Sequence, residues 1–230
     1  MEINSSSLKN TARIAGLLYL LLVITGVYGI MYIPSQIIVP GDTVSTANNM
    51  IFNELLFRTG FLNNIISNTI FLFLVLVLYR MFKQVNENQA KLMFALVIVQ
   101  IPCVFIMEAF NITSLMILKG EILKTFELSQ RQDLAMLFLK INDYGTLPLE
   151  MFWGLWLLPF GLLVYKSEFI PRIFGILLVI GGIAYMINST IGILIPSYSS
   201  FVKYPILLLV AIGEISITLW LLIKGVKTKE

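Results

Sequence analysis

Six apolar runs, each long enough to cross a bilayer, govern what this chain can become; they fall at 12–33, 55–82, 92–118, 144–165, 173–195 and 204–223. A helix needs about 20 residues to cross the hydrocarbon core. Lipid offers no hydrogen bonds to the backbone, so a spanning segment is either a helix or a strand of a closed barrel. Barrel strands alternate apolar and polar residues, whereas runs such as FLFLVLVLY are apolar on every side. The expected fold is an all-α membrane protein, a six-transmembrane-helix bundle forming a single integral membrane domain over 1–230. Composition agrees, with 58% hydrophobic and 13% charged residues against about one quarter charged in soluble domains.

Lys and Arg near the span ends set the orientation. With the N-terminus in the cytoplasm, Lys9, Arg13, Arg80, Lys83, Lys91, Lys166, Arg172, Lys224, Lys227 and Lys229 lie inside. Lys119, Lys124, Arg131, Lys140 and Lys203 lie outside, and Arg58 is assigned to neither. The expected location is the bacterial cytoplasmic membrane, multi-pass, with both termini cytoplasmic. The net charge of +3 does not point to nucleic acid, because the basic residues flank apolar runs, where they anchor a membrane protein. Membrane lipid is the expected partner; oligomeric state is not readable. VYGIMYIPS has no small-residue cleavage site, so the first span is read as retained. Cys103, the single cysteine, has no disulfide partner and is expected to be a buried thiol.

The outward connections contain their own helix signals. In PGDTVSTANN, Pro40 and Gly41 make a turn, and Asp42 or Thr43 caps a helix leading into the second span. In LSQRQDLAMLFLKIND, Ser129 is the expected cap, and Leu134, Leu137, Phe138 and Ile141 share one face of an interfacial amphipathic helix between spans 3 and 4, with a gating lid as the alternative. Arg13-Ile14-Ala15-Gly16 and Arg172-Ile173-Phe174-Gly175 open the first and fifth spans, which end in Ile-Pro-Ser. A parallel repeat and shared helix-boundary chemistry account for this echo equally well.

Function is expected near carboxylates that a membrane segment would otherwise exclude. Glu108, Glu150 and Glu214 are embedded in the third, fourth and sixth spans. Glu54 and Arg58 lie at the outer end of the second, followed by Asn63, Asn64, Ser67 and Asn68, and Asn188 is late in the fifth. At about 100° per residue, Gln100, Glu108 and Asn111 share a helix face, as do Arg58 and Asn68. Turned inward, such faces make either an outward-facing polar cavity or a sealed hydrogen-bonded network. The candidate ligand-binding residues are Glu54, Arg58, Asn64, Asn68, Glu108, Asn111, Glu150, Asn188 and Glu214. Glu108 and Glu150 are grouped with Arg58 and the asparagines in one outer-half site; Glu214, nearer the midplane, is either its floor or an independent acid.

Arg58 can pair with Glu54 one turn away, or with Glu108 or Glu150, but one arginine cannot neutralise every acid. A proton or a small cationic ligand is expected to supply the remaining charge. Binding or transport of a small ligand is therefore the leading functional expectation. A lipid-acting intramembrane enzyme using glutamate as acid or base, and a non-catalytic scaffold, are the alternatives. The chain has no histidine, which removes His-dependent metal sites and Ser-His triads. Asn53-Glu54-Leu55-Leu56-Phe57-Arg58 resembles the Glu-Glu-x-x-x-Arg signature of prokaryotic intramembrane CAAX proteases, but its first acid is Asn53 and the family's histidines are missing. No catalytic residue, metal site or cofactor is assigned.

Trp153, Trp156 and Phe160 recur at helical spacing, and Gly175, Gly181 and Gly182 lie close together on the fifth span; both patterns are read as packing. Pro102, Pro148 and Pro159 can kink or start helices, and Pro102, six residues before Glu108, allows a broken third span at the polar site. LKNTARIAGLLYLLLVITGVYGIMYIPSQIIVPGD, NELLFRTGF and MFWGLWLLPFGLLVYKSEFIPRIFGILLVIGG closely resemble a bacterial multi-pass membrane family, domain of unknown function 4386. The resemblance covers nearly the full length and implies fold, bacterial origin and membrane location, with no activity or site residues attached.

Overall fold

The computed structural model describes residues 5–227. Lys229, counted among the inner basic flanks, lies outside the described residues. In chain order the elements are α1 (Ser5–Gly26), a π-helical turn (Val27–Tyr32), α2 (Ile33–Ile37), α3 (Thr43–Phe52), α4 (Glu54–Phe82), α5 (Glu87–Ile98), α6 (Ile101–Leu118), α7 (Leu128–Lys166), α8 (Arg172–Leu194), a short 3₁₀ turn (Pro196–Tyr198) and α9 (Ser199–Ile223). No strand occurs among the described residues. Ser7–Ile37, Glu54–Phe82, Glu87–Leu118, Leu128–Lys166, Arg172–Leu194 and Phe201–Ile223 are each long and apolar enough to cross a membrane. The chain is thus a helical multi-pass membrane protein, and its outer apolar faces suit lipid. On α1, Ile14, Leu17, Leu21 and Ile24 are exposed while Ala12, Ala15 and Tyr19 are buried, the split expected of one helix with a lipid side and a protein side.

Several boundaries differ from those the sequence suggests. The first span does not stop at Pro34: the π-helical turn precedes α2, and Pro34 occupies its first turn, where a missing N–H costs no hydrogen bond. Asp42 caps α3, its Oδ1 accepting from the Ser45 N–H at 2.9 Å. The third span is broken as Pro102 implies, between α5 and α6. Beside the break, the Gln100 side-chain amide donates to the Leu96 carbonyl at 2.9 Å.

The amphipathic stretch between spans 3 and 4 is helical but not separate. It begins at Leu128 and runs through Gly145 and Pro148 to Lys166, 39 residues in all. At 1.5 Å per residue that is about 58 Å, well beyond a hydrocarbon core of about 30 Å. Ser129 is not its cap; the Gln130 side-chain oxygen accepts from the Glu127 N–H at 3.0 Å. Cys103, expected to be buried, is exposed, a position a small apolar thiol tolerates against lipid.

The chain forms two compact units. The first comprises Met1–Leu22, Ile70–Ile101 and Leu147–Glu230. Its core is aromatic: Trp156 and Phe160 stack with centroids 5.4 Å apart, and the Tyr19 ring lies 6.2 and 6.3 Å from them. Here α7 and α8 touch through glycines. A methyl on Gly161 would come 2.7 Å from the Gly175 carbonyl oxygen, and one on Gly175 would come 2.5 Å from that of Gly161. Such contacts require backbones closer than any side chain allows.

The second unit comprises Val23–Thr69 and Pro102–Thr146. Ile33, Ile37, Ala47, Met50, Phe57, Leu115, Ile117, Leu118 and Ala135 form its core. A polar seam ties its α1 and π-turn segment to α4. The Thr25 hydroxyl donates to Ser67 Oγ at 3.0 Å, Asn63 Nδ2 donates to the Thr25 carbonyl at 2.9 Å, and Tyr28 and Thr59 share a 2.8 Å hydrogen bond. Hydrogen bonds of this kind lock helices whose apolar faces alone would have no reason to prefer one another over lipid.

Candidate functional site

Glu108 lies on α6 in the second unit and is only 4% exposed. Asn111, three residues on, shares its face; its Nδ2 donates to both carboxylate oxygens, at 3.3 and 3.2 Å. From α4, Asn64 Nδ2 donates to Glu108 Oε1 at 2.8 Å. These amides supply hydrogen bonds but no positive charge. Among the described residues Glu108 has no ion pair.

Asn64 is itself held in place. Asn63 Nδ2 approaches Asn64 Oδ1 at 3.5 Å, and Asn68 Nδ2 donates to the Asn64 backbone carbonyl at 2.9 Å. Gly29, on the π-helical turn, leaves the space that the Asn64 amide fills: a methyl there would sit 2.5 Å from Asn64 Oδ1. The wider turn and the missing side chain together let the amide face Glu108.

A cavity of about 550 Å³ opens over this group, lined by Asn64, Glu108 and Asn111 and reaching Asp42, Lys140 and Asp143. Glu108 is buried, whereas Asp42, Lys140 and Asp143 are exposed, so the cavity joins a deep acid to a charged mouth. Its walls include Ile33, Ile37, Phe57, Phe61, Met136 and Leu139. The volume falls in the range of about 300–1,000 Å³ typical of small-molecule sites, which likewise combine apolar walls with a few convergent polar groups. At the mouth, Asp42 accepts from the Ser45 hydroxyl at 2.6 Å as well as from its N–H. That hydroxyl first, and the backbone N–H second, hold the Asp42 carboxyl below the usual carboxylate range. Asn142 Nδ2 donates to the Met107 carbonyl at 3.1 Å and fixes the facing wall. With Asp42, Glu108 and Asp143 set against Lys140, the lining carries an excess of acid.

The remaining candidates do not line this cavity. Arg58 pairs with Glu54 at 2.8 Å, one turn away, and Lys119 bridges Glu54 and Glu121 at 2.9 and 3.0 Å. These side chains are 30–42% exposed, and exposed ion pairs of this kind contribute little to stability. The Glu54 carboxylate, ahead of that of Glu121, raises the Lys119 ammonium above its ordinary range. In the first unit, Asn188 Nδ2 donates to Glu150 Oε2 at 2.6 Å, and the neighbouring Ser189 hydroxyl donates to the Leu147 carbonyl at 2.7 Å. Glu214 accepts from the Tyr19 hydroxyl at 3.0 Å. Each of these two acids therefore has a neutral donor within its own unit.

Gly29, Asp42, Lys140, Asp143 and Tyr19 are absent from the candidate set read from the sequence. The signals available for them were faint: a glycine in an apolar span, a helix cap, charges on an amphipathic segment and one hydroxyl among leucines. Among the described residues no group of three or more His, Cys, Asp and Glu side chains is arranged to hold a metal ion.

Compared with known families, the chain is matched over residues 14–225 by the family model described as Domain of unknown function (DUF4386). No curated protein and no solved structure matches it significantly.

Proposed function

We propose that this chain, which belongs to the DUF4386 family, binds a small cationic ligand in the cavity above Glu108. The observation carrying this reading is a carboxylate 4% exposed, hydrogen-bonded to two amides and without an ion pair among the described residues, at the floor of a cavity of about 550 Å³. A buried carboxylate without an ion pair is completed by a cation or a proton from outside. Apolar walls with a few polar groups at one end suit a molecule carrying its charge at one end. The distribution of Lys and Arg supports both termini inside and the cavity mouth outward, which fits a location in a bacterial cytoplasmic membrane. Transport of the ligand is the extension of this reading that the membrane setting favours.

The test is thermal stabilisation of the detergent-purified protein by a panel of small organic cations: guanidinium, benzylammonium and benzyltrimethylammonium. At least one should raise Tm in the wild type and fail to do so in Glu108→Gln, which keeps the side-chain shape but removes the charge. If no cation raises Tm, or Glu108→Gln responds as the wild type does, the reading fails. Uptake of the stabilising cation into reconstituted vesicles then separates a transporter from a binding protein. For Glu150 and Glu214, hydrogen bonds to Asn188 and Tyr19 favour a second, structural role as interhelical locks.

A further inference from the structure

Both amides at the cavity floor turn their N–H groups toward Glu108. Asn111 Nδ2 faces the two carboxylate oxygens and Asn64 Nδ2 faces Oε1. That leaves acceptors for a ligand. Asn111 Oδ1 accepts no hydrogen bond among the described residues, and a carboxylate offers about four lone-pair directions, more than the two amides fill. Asn64 Oδ1 is turned toward Asn63 and Gly29 instead. The other amide near the floor, Asn142, directs its Nδ2 to the Met107 carbonyl.

On this basis we propose that the ligand's head is an ammonium that still carries N–H, a primary or secondary amine in its protonated form, joined to an apolar body. The proposal rests on the cation-binding reading above and narrows its substrate class. An N–H-bearing ammonium satisfies Glu108 and Asn111 Oδ1 by donating to them while supplying the positive charge the floor lacks. A quaternary ammonium supplies the charge but donates nothing, leaving the acceptors it covers without partners. Cation recognition by aromatic faces would reverse this preference, but Phe57 and Phe61 are the only aromatic residues in the lining, and neither adds an acceptor for an N–H. Ile33, Ile37, Met136 and Leu139 complete a wall that suits a hydrocarbon or aryl body.

Benzylammonium and benzyltrimethylammonium share an apolar body and differ in whether the head can donate. Their affinities for the full chain in detergent, measured by calorimetric titration, should differ by about tenfold or more in favour of benzylammonium, the equivalent of one hydrogen bond to a charged group. The preference should collapse in Glu108→Gln; if that variant does not fold, Glu108→Met, which fills a similar space with neither charge nor strong acceptor, serves the same comparison. Equal binding of the two ions, or tighter binding of the quaternary one, both dependent on Glu108, overturns the N–H requirement and leaves the cation site standing. A preference for benzylammonium that survives Glu108→Gln, or Glu108→Met where that variant stands in, overturns the assignment to this floor. Binding of neither ion overturns the proposal and counts against the cavity reading as well.

Discussion

The Tyr19 hydroxyl donates to Glu214 Oε2 at 3.0 Å across 195 positions of sequence, joining α1 to α9 within the first unit. Tyr19 is fully buried, its ring packed beside Trp156 and Phe160. A tyrosine brings both an apolar ring for the core and a polar tip for the acid, so the two helices are held by packing and by a hydrogen bond at once.

Tyr19→Phe keeps the ring and removes the donor. It should lower stability by about 1–3 kcal/mol, because it leaves a buried acceptor without its partner. Thermal unfolding of the detergent-solubilised protein reads this directly. Glu214→Gln, which retains an acceptor, should lose less, and an unchanged Tm in Tyr19→Phe would show that the bond is not a lock.

The glycine contact between α7 and α8 predicts a contrast between matched substitutions. Gly175→Ala drives a methyl to 2.5 Å from the Gly161 carbonyl oxygen, whereas a methyl at Gly26 meets nothing within 4 Å. Gly175→Ala should cost about 1–3 kcal/mol through overpacking, and Gly26→Ala should be neutral or slightly stabilising. Equal Tm values for the two variants would refute the close approach.

Gly29 should control the cavity through Asn64. Gly29→Ala places a methyl against Asn64 Oδ1 and should weaken benzylammonium binding as Asn64→Ala does. Since both changes act on one amide, the double variant should bind no worse than Asn64→Ala alone. Additive losses in a titration of all three variants would separate Gly29 from the site.

Asp42 introduces a pH dependence at the start of α3. Its carboxyl is held below the usual range by the Ser45 hydroxyl and N–H, so its contribution to capping is present above the unfolded-state value and is lost as pH falls through the folded one. Asn caps helices without titrating. The ratio of amide exchange protection at Ser45 and Thr46 between wild type and Asp42→Asn should therefore exceed one at neutral pH and fall as pH drops below about 4. A ratio that does not change with pH would contradict the role of the charge.

Orientation is open to a direct labelling test. In a Cys103→Ala background, Lys124→Cys should react with a membrane-impermeant maleimide in intact cells, and Gln84→Cys only after permeabilisation; both positions are exposed. The opposite pattern would invert the topology drawn from the Lys and Arg count.

Much of the fold is legible along the chain because its signals are local. Apolar length marks the spans, Asp42 marks the start of α3, and Pro102 marks the break between α5 and α6. Legibility fails where neighbours override a local signal. The fourth span reads as beginning at 144, yet α7 begins at Leu128, and Pro34 reads as a stop but sits in the first turn of α2, where a proline is tolerated. The candidate site was legible only as residue types. Glu108 and Asn111 are one helical turn apart, so their shared face could be read, whereas Asn64 is 44 positions away from Glu108.

The sequence by itself determined that this is a helical membrane protein with acids it must account for, since lipid forces each span to satisfy its own backbone and penalises an unpartnered charge. Only the tertiary structure decided how each acid is met: Glu214 by Tyr19, Glu150 by Asn188, and Glu108 by two asparagines beneath a cavity. The physical reason is reach. Periodicity fixes which side of a helix is polar, but a hydrogen bond of about 3 Å is fixed only by which helices meet and at what depth.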